Sequence, residues 1–280
     1  MSTQGVSMRR LCAGRRSCDR SAAIALGFAV LLIGCGESVE QNGPGPVGPV
    51  GPVGSVGPAG DEIGEPGSGV VVSEDRDAGA VTRVLFGSEG EVHISFGAEP
   101  SLTVEADDNL LSLLETDVEE DILRIRTAYG VDIAPSRPPR FHIVLPELTE
   151  IELSGVGDVV VEPVESQILS VALLGVGDIT LRDVDVDLLL YDLAGVGTVS
   201  ISGAAEEQRG SVSGRCSFYA ADLASERAEL QASGGGYAVV SVASRFSVSV
   251  ADTGAVEYYG SPSLTQETGG LGSVTSLGER

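Results

Sequence analysis

The sequence of 280 residues contains no lysine and no tryptophan, so all 17 of its basic residues are arginine. Against them stand 41 aspartates and glutamates, which give a formal net charge of −24. A nucleic-acid-binding face needs clustered lysine or arginine to neutralise phosphates, so this composition argues against a nucleic acid partner. It argues equally against electrostatic adsorption to an anionic bilayer.

Aromatic residues are also scarce, at 4%, and histidine occurs only twice, whereas glycine occurs 38 times. Few aromatics together with many glycines and valines favour short strands joined by tight turns over a large globular core. The length allows one or two domains.

Residues 1–34 have the features of a bacterial secretion signal. Five arginines precede an apolar run at Ala22–Ile33, which is shorter than the ~20 residues that a membrane-spanning helix needs. The run ends in Leu32-Ile33-Gly34-Cys35. This sequence resembles the bacterial lipoprotein box, in which the cysteine thiol is lipidated and becomes the new N-terminus. We therefore expect lipidation at Cys35; an uncleaved anchor or a buried hydrophobic hairpin is the alternative.

The lipoprotein assignment predicts where the protein resides. Acyl chains on Cys35 would attach it to a membrane. Gly36 stands where inner-membrane lipoproteins carry aspartate, so the resemblance implies the outer membrane of the bacterial cell envelope. Cleavage removes Cys12 and Cys18, which leaves Cys216 as the one unmodified cysteine and predicts a head without an internal disulfide.

Residues 35–69 form a glycine- and proline-rich spacer. Glycine recurs at every third position from Gly45 to Gly60, with proline directly after four of these glycines. This is the collagen pattern, and a triple helix would make the protein a trimer. The alternative is a single-chain polyproline-II spacer that rises ~3.1 Å per residue. The few triplets and the shift of register at Gly64 and Gly67 favour the spacer.

Residues 70–150 read as an irregular N-terminal β region. Apolar and polar residues alternate in segments such as Glu91–Phe96 and Phe141–Leu145, as expected for strands that are buried on one face. The segment Gly87–Gly90 lies between two such runs and predicts a β-hairpin.

From residue 151 to residue 280 a short motif recurs: a small or apolar residue, then Gly-x-Gly, then a polar and an apolar residue. The first three copies are clear and the later four are degraded. Successive copies are 20, 20, 19, 20, 18 and 18 residues apart, and a fixed period of this size predicts stacked coils. The copies begin at Ser154, Leu174, Ala194, Ser213, Ser233, Ala251 and Gly269.

Apolar residues alternate on both sides of each motif, for example at Ile151/Leu153 and Val159/Val161. Period two on both sides of a glycine corner indicates strand, corner, strand with one face inward. We therefore predict an all-β fold, a β-solenoid (parallel β-helix-like) with rungs of about 18–20 residues. One coil is weak, because Gln208 and Gly210 fall at inward positions.

The glycines of the motif are predicted to be structural, since glycine tolerates the positive φ that a sharp corner requires. We call them the corner glycines: Gly155, Gly157, Gly175, Gly177, Gly195, Gly197, Gly214, Gly234, Gly254 and Gly272.

The repeats and the ending Tyr258-Tyr-Gly-Ser-Pro262 resemble the bacterial family called putative auto-transporter adhesin, head GIN domain. The similarity runs from about Val81 to Gly278, although Gly-Val-Gly-Asp replaces the family's usual Gly-Ser-Gly-Asp. The resemblance implies a β-solenoid head on an exported or lipid-anchored protein, with an adhesin role.

Asp158 and Asp178 occupy matching places on successive coils, where calcium could neutralise them. The column is short, because Thr198, Ser217 and Tyr237 follow it. An aspartate that caps a turn through a backbone hydrogen bond is the simpler interpretation. We therefore predict no metal site, with Asp158 and Asp178 as the weak candidates.

No set of residues converges on a catalytic pattern. A polysaccharide lyase needs a base and a cation, and a glycoside hydrolase needs two carboxylates on one face. The Gly-x-Gly motifs precede no helix, so they do not predict a dinucleotide loop. We expect no catalytic residue and no cofactor, and we expect Cys216 to be a small buried residue.

Three functional hypotheses remain. The first is a non-enzymatic, adhesin-like binding module of the envelope, with an extracellular or envelope protein or a polysaccharide as its partner. The second is a structural envelope component that trimerises through its collagen-like spacer. The third is a carbohydrate-active enzyme built on a β-helix.

Overall fold

The computed structural model describes residues 64–280. The signal segment 1–34, Cys35 and the glycine repeat from Gly45 to Gly60 lie outside the described residues. Within that range 70% of the residues are in β-strands, and a single 3₁₀ turn at Leu111–Leu113 is the helical element. None of its helical segments is long and apolar enough to cross a membrane.

The described residues form nineteen strands, which are labelled in chain order. They are β1 (Glu65–Pro66), β2 (Val71–Arg76), β3 (Arg83–Gly87), β4 (Glu89–Phe96), β5 (Ser101–Asp107), β6 (Leu114–Glu119), β7 (Ile122–Thr127), β8 (Ile133–Ala134), β9 (Arg140–Leu145), β10 (Glu150–Leu153), β11 (Val156–Val161), β12 (Val164–Leu173), β13 (Val176–Leu193), β14 (Val196–Val212), β15 (Arg215–Ala232), β16 (Tyr237–Val250), β17 (Ala255–Tyr259), β18 (Ser263–Thr268) and β19 (Ser273–Gly278).

The main sheet winds into stacked parallel coils, a β-solenoid of about six turns, which confirms the predicted fold class. Its register follows the sequence repeat. Val159 pairs with Ile179 and Ile179 pairs with Val199, each 20 residues further along the chain. Some later coils are one or two residues shorter than 20, and the pairing between neighbouring strands shifts register where the residues are missing.

The positions predicted to face inward form the core of the coils. Each column is a row of equivalent side chains that stack from one coil to the next, and removal of this apolar surface from water is the main force that stabilises the stack. The column that follows the glycine corner is fully buried along its length. Its members are Val159, Ile179, Val199, Phe218, Ala238 and Val256.

The coil order differs from the chain order in the N-terminal part. Strands β3 and β4 pair in parallel with β7 and β9 on one side and with β10 and β11 on the other. Along the chain, the middle coil (β3 and β4) therefore comes first and the outer coil (β7 and β9) comes second. The chain then crosses to the other side of the middle coil, where β10 begins at Glu150. No break in the sheet separates residues 70–150 from residues 151–280.

The hairpin expected at Gly87–Gly90 is wrong. Strands β3 and β4 are consecutive sides of one coil and do not pair with each other. Gly90 lies in register with Gly157 and has the same kind of backbone, with φ of +142°. The file of glycine corners thus begins one coil before the sequence repeat becomes visible.

Antiparallel strands close the N-terminal end of the stack. Strand β5 pairs with β9 and with β2, and β6 pairs with β7, so the free edges of this coil are covered. Asp107 is fully buried there and accepts hydrogen bonds from the backbone N–H and the hydroxyl of Ser136 and from the N–H of Gly69. This carboxylate connects three segments that are distant in sequence.

Candidate binding surface at the glycine corner

Different structural constraints require glycine at the first and at the second glycine position of each corner. Gly157, Gly177 and Gly197 have φ of +153°, +144° and +147°, where side chains are disfavoured. Gly175 has no such φ, but a Cβ there would collide with the carbonyl oxygen of Gly155 in the preceding coil. The first glycine permits close stacking, and the second provides both the stacking and the turn.

The degraded copies of the motif also form corners, but the structure restricts their glycine positions less strongly. Gly214 and Gly234 have left-handed backbones with φ of +63° and +58°. An added Cβ at Gly254 or Gly272 would meet the side chain of Val250 at 3.2 Å or 2.8 Å. At these two corners the nearest obstacle to a larger residue includes a side chain of the core, which can shift more easily than the backbone can.

Cys216 takes the place of a second corner glycine, since it pairs with Gly197. It is a free cysteine and is fully buried, and burial raises the pKa of its thiol. A buried thiol that stays protonated is a poor nucleophile.

Asp158 and Asp178 form a hydrogen-bonded ladder along the corner. The carboxylate of Asp158 accepts the backbone N–H of Asp178 at 3.2 Å, and the carboxylate of Asp178 accepts the N–H of Thr198 at 2.9 Å. Each aspartate thus satisfies a donor in the next coil instead of one in its own turn. Between residues 64 and 280, no group of three or more histidine, cysteine, aspartate or glutamate side chains is placed to hold a metal ion.

The residue between the two glycines points away from the core. Val156, Val176 and Val196 lie in register on three successive coils, and they are 56%, 48% and 43% exposed. We call these three residues the valine ladder. Sequence reasoning missed it, although the middle position of Gly-x-Gly falls outside the inward alternation.

A cavity of about 370 Å³ opens where the valine ladder begins. Glu89, Glu91 and Asp158 supply its acidic wall, and Val156, Pro135 and Pro138 supply its apolar wall. Burial raises the pKa of Glu89, and Glu91 is paired with Arg140 at 2.8 Å. The corner therefore carries an apolar strip beside an acidic one.

Residues 82–262 match the family model that is described as putative auto-transporter adhesin, head GIN domain. The chain belongs to this family. The matched range includes the clear repeats, the valine ladder and the cavity. A search of curated proteins found no match for this GIN-domain protein.

Solved structures share the fold of this GIN domain. A putative adhesin from Bacteroides fragilis NCTC 9343 superposes with a TM-score of 0.72 at 20% identity, over 76% of this chain and 100% of the other. A putative lipid binding protein from Parabacteroides distasonis ATCC 8503 gives 0.63 at 20% identity, over 76% and 98%. A putative adhesin from the same strain gives 0.61 at 19% identity, over 76% and 99%. At this level of identity the likeness establishes the fold alone.

The two histidines and Tyr258 of the Tyr-Tyr-Gly-Ser-Pro ending do not line the cavity at the corner of this GIN domain. His93 and His142 are exposed and stack on each other across neighbouring strands, with ring centroids 5.4 Å apart. Tyr258 is half-buried and packs edge-on against Phe246 at 5.4 Å, so it covers one of the last coils.

Proposed function

We propose that the protein is an exported, lipid-anchored component of the bacterial cell envelope, located in the outer membrane. In this proposal its GIN domain acts as a non-enzymatic, adhesin-like binding module. Support comes from the lipoprotein box at Cys35 and from the family, whose model is described as a putative auto-transporter adhesin. The expected partner is an extracellular or envelope protein or a polysaccharide.

The valine ladder is the observation that carries the proposal. Exposed apolar side chains in contiguous positions are uncommon on a soluble surface and mark contact sites. Here they stand on corners whose glycines stack directly on the backbone of the preceding coil. A rigid surface of this kind loses little entropy when a partner binds.

The test is attachment of cells that display the full-length protein. We expect cells with the wild-type protein to adhere to immobilised envelope fractions and extracellular matrix proteins. Deletion of residues 82–262, or the triple change of Val156, Val176 and Val196 to serine, should reduce attachment at least tenfold. The matched control is serine at Val70 and Val72, which are also exposed but lie just before β2 and on β2, respectively. Equal attachment of the triple variant and the wild type would count against the proposal.

Anchoring has a separate test. Cells fed a labelled fatty acid should incorporate it into the wild-type protein and should retain that protein in the outer-membrane fraction. Cys35→Ser should remove both the label and the retention. Label that persists in the variant would reject lipidation at this cysteine.

The trimeric structural component is the second candidate, because the glycine period of residues 45–60 permits a triple helix. Sedimentation of the protein with and without residues 43–69 separates the two functions. A trimer that becomes a monomer on deletion would favour the structural role, and a monomer in both cases would exclude it.

A further inference from the structure

A group of tyrosines lies on the outer face of the later coils. Tyr219, Tyr237 and Tyr259 stand on three successive coils around Val239. The alternation turns Val239 outward, yet it is only 6% exposed because its neighbours cover it. Tyr219 itself is 45% exposed, and its ring lies 5.7 Å from that of Tyr237.

Polar contacts hold two of these three rings in place. The hydroxyl of Tyr237 donates a hydrogen bond to the carboxylate of Glu257 at 2.8 Å. The guanidinium group of Arg280 lies over the ring of Tyr259, 5.6 Å from its centroid. Tyr237, against which the ring of Tyr219 packs, is therefore fixed by its own hydrogen bond.

A recess of about 320 Å³ adjoins Tyr219. It arises because the corner at Ser202 is one residue shorter than the corners before and after it, as the register shifts between Leu181/Val184 and between Ser200/Gly203 show. The longer corners project on either side and carry Arg182 and Asp222. Such irregularities in strand pairing commonly re-aim side chains at binding sites.

The lining of the recess combines one aromatic ring with hydroxyl groups and planar charged groups. Thr180, Ser200 and Ser202 contribute hydroxyls, and Arg182 and Asp222 contribute a guanidinium and a carboxylate. Both charges are already balanced, since Arg182 pairs with Glu162 at 3.0 Å and Asp222 pairs with Arg280. The recess therefore offers many hydrogen-bonding groups without a strong field of its own.

We propose that this recess binds one unit of an uncharged saccharide. A sugar ring has an apolar C–H face that stacks on an aromatic ring, and its neighbouring hydroxyls match the paired atoms of a carboxylate or guanidinium. The charge of −24 on the whole chain repels anionic glycans. Tyr219 would provide the stacking surface, and Arg182 and Asp222 would orient the ring. The inference rests on the proposed binding function and names the chemistry of one partner.

The test uses the full-length protein in detergent and an array of neutral, anionic and amino-sugar oligosaccharides. The best neutral oligosaccharide is then titrated by calorimetry. We expect Tyr219→Ala to weaken binding at least tenfold, Tyr219→Phe to keep it within about threefold, and Asp222→Asn to weaken it. Tyr129→Ala is the matched control, because Tyr129 is a fully exposed tyrosine elsewhere on the surface. Melting temperatures of all variants verify that they fold.

Two results would overturn the inference: no binding of any neutral oligosaccharide, or binding by Tyr219→Ala that equals the wild type. The valine-ladder experiment keeps this failure distinct from failure of the proposed function. Attachment that depends on the valine ladder but not on Tyr219 would retain the binding module and reject the saccharide site.

Discussion

The ring of Tyr191 stacks on the ring of Phe218 two coils further along, with centroids 4.3 Å apart, and Gly210 of the coil between them leaves the space that Tyr191 fills. A Cβ at Gly210 would collide with the Tyr191 ring. In the sequence, Gly210 is a small residue at an inward position and suggests a poorly packed coil. In the structure it lies next to Tyr191 of the preceding coil, whose large ring occupies the space. The hydroxyl of Tyr191 is buried, and it has no hydrogen-bond partner among residues 64–280.

Tyr191→Phe should leave the free energy of unfolding unchanged or raise it by up to about 1 kcal/mol, because it removes a buried unpaired hydroxyl and keeps the ring. Burial raises the pKa of Tyr191 above its ordinary value. At alkaline pH the unfolded chain therefore releases a proton that the folded chain retains, and stability falls above about pH 10.

The phenylalanine variant should lose less stability in this alkaline range. Urea unfolding of both proteins at about pH 8 and about pH 10.5 measures the difference. Gly210→Ala serves as the opposite control, since it should destabilise the same coil. A loss of more than about 1 kcal/mol in Tyr191→Phe at the lower pH would show that the hydroxyl has a partner.

Gly177→Ala should destabilise the solenoid by about 3 kcal/mol or more. The new Cβ would collide with the carbonyl oxygen of Gly157, and the backbone φ of +144° disfavours any side chain. Gly269→Ala is the matched control, because a Cβ there meets nothing within 4 Å and the φ is ordinary. Chemical unfolding of both variants tests this, and equal stabilities would refute the close stacking of the corners.

The repeat predicts the coils because it is local. Gly155, Gly175 and Gly195 repeat at a fixed spacing, and the alternation at Val159/Val161 identifies the inward face. The position of β3 and β4 between two later coils could not be predicted, since pairing across long stretches of chain leaves no periodic signal. The valine ladder and the Tyr219 recess were missed for a related reason. Alternation separates inside from outside, but a recess depends on a one-residue difference between the corners of adjacent coils.

Asp178→Ala should cost about 1 kcal/mol, because the N–H of Thr198 loses its acceptor. Asp178→Asn should cost less, since the amide oxygen can accept the same hydrogen bond. Asp185→Ala, at another exposed position of β13, should have no measurable effect and is the control. Thermal unfolding with and without millimolar calcium distinguishes a structural aspartate from a metal ligand. A calcium-dependent rise in melting temperature that Asp178→Ala abolishes would contradict the hydrogen-bonding role.

Asp107→Asn should loosen the N-terminal end of the stack and change the response of the protein to acid. The hydroxyl and the N–H of Ser136, followed by the N–H of Gly69, hold the pKa of Asp107 below its usual range. Between the folded and unfolded pKa values the unfolded chain binds more protons. The stabilisation by Asp107 is therefore complete above about pH 4 and is lost as the pH falls through the folded value.

The asparagine variant should therefore be less stable near neutral pH and should lose less of its remaining stability on acidification. Asp132→Asn changes an exposed aspartate at the same end of the stack and is the control for altered net charge. Hydrogen exchange of the Ser136 and Gly69 amides gives a local readout: both should exchange faster in Asp107→Asn and at the wild-type rate in Asp132→Asn. If the Ser136 and Gly69 amides were as well protected from exchange in Asp107→Asn as in the wild type, the role of the carboxylate would be refuted. The pairing of the antiparallel strands β2 and β5 would then be enough to hold the loops at this end of the stack.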